Sequence, residues 1–90
     1  MSLNEQNYNF DLMKWMLEKH GPLIGGNDLY AALGYRTYAA FHRARMSGDI
    51  HVEVFPIEGR RGFFALTADV AAWLQHQVTK HRKKEDAMDP

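Results

Sequence analysis

Apolar positions recur at helical spacing near the start of the chain. Phe10, Met13 and Leu17 fall on one stripe, and Leu12 and Met16 on the adjoining one. The pattern predicts a helix over 8–20, capped by Asn7 or Asn9 and stopped by Gly21 and Pro22. Leu23, Ile24, Gly25 and Gly26 then read as a short loop. Leu29, Ala32 and Leu33 form the apolar face of a second helix of about two turns, with Gly26 or Asn27 as cap and Gly34 as a left-handed stop. A third helix is expected from a Thr37 cap to Met46, a run without Gly or Pro. With Phe41 at the centre of its buried face and about 100° per residue, Ala40, Ala44 and Tyr38 flank the core. Arg36, Ala39, His42, Arg43 and Met46 turn outward. Ser47, Gly48 and Asp49 end this helix.

Two strands follow, HVEVFPI and FFAL. Pro56 cannot donate to a ladder, which makes the first an edge strand or a bulged one. Between them lie Glu58, Gly59, Arg60, Arg61 and Gly62, the tip of a hairpin. Thr67 is the expected cap of a last helix, with Asp69 in its first turn and Val70, Leu74, Gln77 and Val78 on one stripe. Residues 1–7 and 80–90 are expected to fray. The predicted fold is mainly α with a small β-hairpin, in the order α-α-α-β-β-α, as one domain over 1–90. Two helices across a glycine turn, followed by a hairpin, are the layout of a winged helix-turn-helix.

Composition narrows the classes. Ninety residues allow one small core, and an apolar fraction of 46% supplies it. Cysteine is absent, which removes disulfides, thiolate metal sites and a cysteine nucleophile. No apolar run reaches the roughly 18 residues that span a bilayer. The opening MSLNEQNYNFD has neither a basic start nor an apolar stretch, so no signal peptide is expected and the cytoplasm is the expected location. Eleven Lys and Arg balance eleven Asp and Glu, but not evenly along the chain. From Leu29 to Leu66, five arginines stand against three acids, and no lysine occurs there. Arginine presents a planar fork of donors that matches phosphate and guanine edges.

The run NDLYAALGYRTYAAFHRAR resembles the helix-turn-helix of small excisionase and AlpA-like regulators, relatives of the MerR-type winged DNA-binding domain. The pattern DLxxxLGYRxxxAF over Asp28–Phe41, with FPIxGRRGxFALTxDVAxWL over Phe55–Leu74, is similar to short plasmid- and phage-associated bacterial proteins. The resemblance covers a little over half the chain. It implies that the third helix enters a major groove and that Arg60 and Arg61 touch the DNA backbone or minor groove.

The residues taken alone agree with that implication. Arg36 and Arg43, two turns apart, can reach a phosphate or a guanine; His42 can hydrogen-bond between them, and Ala39 can meet a thymine methyl. Met46 shares their outward face. Arg60 and Arg61 have no packing duty at a tip where Asn-Gly would suffice to turn. A salt bridge to Glu58 or Glu53 is their plainer use. Arg45 lies near the core boundary, where its stem is expected to pack and its charge to pair with an acid such as Asp49. Trp15 and Trp73 are expected to close the core, with Trp15 also free for a dimer contact. The five histidines lack metal-ligand spacing, no phosphate loop occurs, and neither Ser2 nor Ser47 has a nucleophile's context. No metal, cofactor, small-molecule substrate, membrane or enzymatic role is expected. The expected partner is double-stranded DNA, bound as a homodimer or side by side because zero net charge weakens a lone protomer. The rival is a protein-interaction module on the same fold.

Overall fold

The computed structural model describes residues 12–88, with side chains through Arg82. Phe10 and the Asn7 or Asn9 cap lie outside the described residues. A helical segment over residues 12–20 (α1) leads into β1 (Leu23–Gly25), α2 (Gly26–Ala32), α3 (Tyr38–Met46), β2 (Phe55–Pro56), β3 (Phe63–Leu66) and α4 (Thr67–Met88). The chain is mainly helical with a small antiparallel sheet, as expected in outline. The sheet, however, has three strands in the order β1-β3-β2. The element order is therefore α-β-α-α-β-β-α.

The extra strand corrects the loop expected at residues 23–26. Leu23 pairs with Leu66, Ile24 with Ala65 and Gly25 with Phe64. Three residues are too few to display a period of two, and they sit between glycines and a proline that read as punctuation. Tertiary burial decides the matter, since Ile24 is only 1% exposed. The first predicted strand is shorter than expected: only Phe55 and Pro56 join the ladder, opposite Phe64 and Phe63. Pro56 does occupy a sheet edge, where its missing N–H needs no partner.

The α2 helix has seven residues, begins after Gly25, and has no side-chain cap bond. Asn27 therefore does not cap it. So short a helix is marginal alone. Leu29 and Tyr30, at 0% and 5% exposure, hold it to the core, each burial contributing about 1.5–3 kcal/mol. Met16, not Leu17, is the buried residue of α1, and Leu17 is exposed. Met16 shares one core with Ile24, Leu29, Phe41, Ala65 and Val70, so α1 and α4 back the same cluster that α3 enters. Thr67 is the first residue of α4 and fully buried, but its Oγ1 has no hydrogen-bond partner. It is not a cap. Its N–H donates instead to the Pro22 carbonyl at 3.0 Å, joining the start of α4 to the end of the α1–β1 turn. The backbone of α4 stays helical to Met88, through the segment expected to fray. No Gly or Pro interrupts Thr67–Met88, and Lys80, Arg82, Lys83, Lys84, Glu85, Ala87 and Met88 are good helix formers.

Candidate nucleic-acid interface

The α3 helix begins where Thr37 caps it: Thr37 Oγ1 accepts the Ala40 N–H at 3.1 Å. Its end is set by Gly48 at φ +77, where the Asp49 N–H reaches back to the Ala44 carbonyl at 2.9 Å. The turn before it is fixed in the same way. Gly34 has φ +97, and the Tyr35 N–H donates to the Tyr30 carbonyl at 2.8 Å. From inside, Phe41 is fully buried and stacks on Tyr30 at 4.4 Å, with the Tyr35 ring edge-on at 6.3 Å. A helix held at both ends and along its inner face has a defined outer face.

That outer face carries the expected side chains. Ala39, His42, Arg43 and Met46 are exposed, Met46 at 69%. Arg36 is exposed too, but it lies in the turn ahead of Thr37, so helix periodicity does not set its direction. Arg36 lines an open cleft of about 480 Å³ with Asn27, Tyr30, Ala31, Gly34 and Tyr35.

The β2–β3 connection, residues 57–62, holds Arg60 and Arg61, both exposed. Its turn is closed by the Arg60 N–H on the Ile57 carbonyl at 3.0 Å, with Gly59 at φ +80. Its root is pinned on two sides. A Cβ on Gly62 would stand 3.2 Å from the Tyr30 hydroxyl, so the loop closes against α2. Phe63 lies 6.0 Å from Phe41, and the Arg45 guanidinium sits 4.3 Å over the Phe63 ring. Tyr30 thus stands beside the hairpin root and shares a cleft with Arg36. Among the described residues neither Arg60 nor Arg61 is ion-paired to Glu53 or Glu58.

No family model, curated protein or solved structure matches this chain.

Two side chains depart from expectation at this surface. Arg45 does pack its stem, but its charge meets the face of Phe63 and not Asp49; a cation over a ring is stabilised by the ring's quadrupole. Tyr38, expected beside the core, is 48% exposed. It lies between Tyr30 at 5.6 Å and His42 at 5.7 Å, so a row of rings runs from the core to the outer face. The i, i+4 spacing of Tyr38 and His42 is the sequence signal for that contact. Elsewhere, Trp73 is half-buried against the core, whereas Trp15 is 54% exposed with Lys19 Nζ 4.8 Å over its ring. Among the described residues, no group of three or more His, Asp or Glu side chains is placed to hold a metal ion, and no helix is long and apolar enough to cross a membrane. The surface offers hydrogen-bond donors, positive charge and an apolar methyl or thioether, which is a recognition chemistry.

Proposed function

We propose that this chain is a winged helix-turn-helix protein that binds double-stranded DNA, as a small transcriptional regulator or an excisionase-like architectural factor of a mobile element. The observation that carries the reading is the rooting of an arginine-tipped hairpin beside a capped helix whose outer face is unpacked. In this reading α3 lies in the major groove. Arg43 reads a base edge, His42 and Ala39 contribute a hydrogen bond and a methyl contact, and Met46 covers the helix end. Arg60 and Arg61 meet phosphates, and Arg36 meets a phosphate or a guanine. Two or three such phosphate contacts give a salt slope of about −2 to −3. That is modest for an operator-binding protein, so two copies act together on the site, as a dimer or side by side.

The test is fluorescence anisotropy on preferred and scrambled duplexes, selected from genomic fragments at low salt, over a salt series. Arg60→Ala with Arg61→Ala weakens both duplexes alike and flattens the slope by up to about two units. Arg43→Ala lowers affinity for the preferred duplex by roughly 1–3 kcal/mol and blurs the preference. If both variants bind as the wild type does, the DNA reading is wrong. A protein-interaction module is then the better account, favoured by the exposed Met46 at the rim of a groove lined with Arg45, Ile50, Val52 and Val54.

A further inference from the structure

The densest charge in the chain lies outside the face described above. Lys80, Arg82, Lys83 and Lys84 put four positive charges within five residues, with His81 among them. Residues 1–79 have seven Lys and Arg against eight Asp and Glu, so they are net negative by one, and Glu85, Asp86 and Asp89 follow the basic run. A body without net positive charge attracts a duplex only where its positive groups are segregated.

The core does not account for this segment. Val78 is half-buried, and Thr79, Lys80, His81 and Arg82 are exposed. The helix nevertheless continues to Met88, about 15 Å further at 1.5 Å per residue. The helix dipole does not account for it either. The dipole favours cations in the last turn, yet the last turn of α4 holds two acids, Glu85 and Asp86, and no basic residue. Beyond Val78 only Ala87 and Met88 are apolar, too few for insertion into a lipid surface or for a coiled-coil seam. What remains is charge. Dense charge of one sign suits phosphates, which are met without a fixed angle, and does not suit base edges.

We propose that the basic run of α4, Lys80 to Lys84, is a second, sequence-independent contact to the phosphates of a bound duplex. The inference rests on the DNA-binding reading above. It adds about three units to the salt slope, for a total near −5 to −6.

The experiment compares the full-length wild type with Lys80→Gln, Arg82→Gln, Lys83→Gln, Lys84→Gln combined. A milder variant has Lys83→Gln and Lys84→Gln only, and a charge-keeping one has Lys80→Arg, Lys83→Arg and Lys84→Arg. Anisotropy is read on preferred and scrambled duplexes over a salt series, with far-UV circular dichroism to follow folding. The fourfold variant is expected to lose about three units of slope. Between about 50 and 200 mM salt its affinity therefore falls roughly sixty-fold less than that of the wild type. The milder variant loses about half as much slope, and the arginine variant loses none. The ratio of preferred to scrambled affinity stays unchanged throughout. An unchanged slope in a wild type that does bind DNA removes the α4 contact and leaves the DNA reading standing. A collapse of the preference ratio also overturns the inference, because it makes the segment a base reader. Binding of the wild type to phosphatidylserine vesicles, lost in the fourfold variant while the DNA slope is unmoved, assigns the segment to a membrane surface instead. A wild type without salt-dependent DNA affinity takes both readings down together.

Discussion

Replacing Gly25 by alanine drives a methyl group into an aromatic ring. Gly25 has φ −153 and ψ 173, extended backbone that any residue adopts, so the main chain raises no objection. By itself, Gly→Ala at such a site stabilises by about 0.4–1 kcal/mol through the unfolded chain. The sign is reversed by Phe64, the cross-strand partner of Gly25 in the β1–β3 pair. An ideal Cβ at Gly25 stands 2.2 Å from Phe64 Cδ2, 2.5 Å from Cε2 and 3.0 Å from Cγ. Ordinary contact begins near 3.4 Å, so the nearest atom must retreat by more than 1 Å. Because Cγ is involved, rotating the ring in place does not relieve the clash; the side chain must leave its rotamer or the strands must part. Overpacking of this kind costs about 1–3 kcal/mol. After the unfolded-state gain, the net loss is about 1.5 kcal/mol, or roughly 6–12 °C in Tm for a domain of this size. The assay is urea and thermal unfolding of the wild type, Gly25→Ala, Phe64→Ala and the double variant. In the Phe64→Ala background the same alanine becomes neutral or stabilising. Equal costs in the two backgrounds, or a cost below about 0.5 kcal/mol in the wild type, would refute the steric account of this strand pair.

Three further substitutions probe the elements around the interface. Gly62→Ala combines φ +84 with a methyl 3.2 Å from the Tyr30 hydroxyl, whereas Gly59→Ala has φ +80 and open space. Both lose about 1–2 kcal/mol for the left-handed backbone, and urea unfolding should show an excess for Gly62→Ala that disappears in a Tyr30→Phe background. Thr37→Ala removes the α3 cap bond and costs about 1 kcal/mol; thermal melts should show Thr37→Ser recovering most of it, and an equal loss for Ser would count against the cap. Thr67→Val deletes a hydroxyl buried without a partner and should raise stability by about 1 kcal/mol, so a lowered Tm would mean that the hydroxyl is hydrogen-bonded in solution.

The parts of this fold that show in the sequence are those whose causes are local. Thr37, Gly34 and Gly48 mark the ends of α2 and α3 by side-chain or left-handed backbone chemistry that acts within a few residues. The outward set of α3 follows from the burial of Phe41 and a fixed angle per residue. β1 does not show, because its three residues become a strand only through β3, some forty positions later. The placements of Arg45 and Tyr38 do not show for the same reason. Arg45 turns toward Phe63, a residue that arrives from the hairpin, and Tyr38 is displaced outward where Tyr30 already occupies the stack on Phe41. On α1, the choice between Met16 and Leu17 depends on which stripe faces α4 and the sheet, and two neighbouring apolar stripes leave that choice to tertiary packing.

The residues that shape the candidate interface and those exposed on it are different residues. Tyr30, Phe41, Phe63 and Gly62 fix where the hairpin leaves the body, and each is buried, half-buried or held by close contact. Arg43, His42, Arg60 and Arg61 are exposed and carry none of that packing. Surface substitutions away from special contacts usually change stability by less than about 0.5 kcal/mol. Loss of binding in Arg43→Ala or in the Arg60, Arg61 pair can therefore be read as loss of contact and not of fold. The reverse substitutions separate differently. Weakening the Tyr30–Gly62 contact frees the hairpin root from α2 while α3 keeps its Thr37 cap and its Phe41 anchor. A hairpin that has lost its bearing should forfeit the phosphate contacts of Arg60 and Arg61 first, lowering affinity for every duplex and leaving the preference set by Arg43 in place.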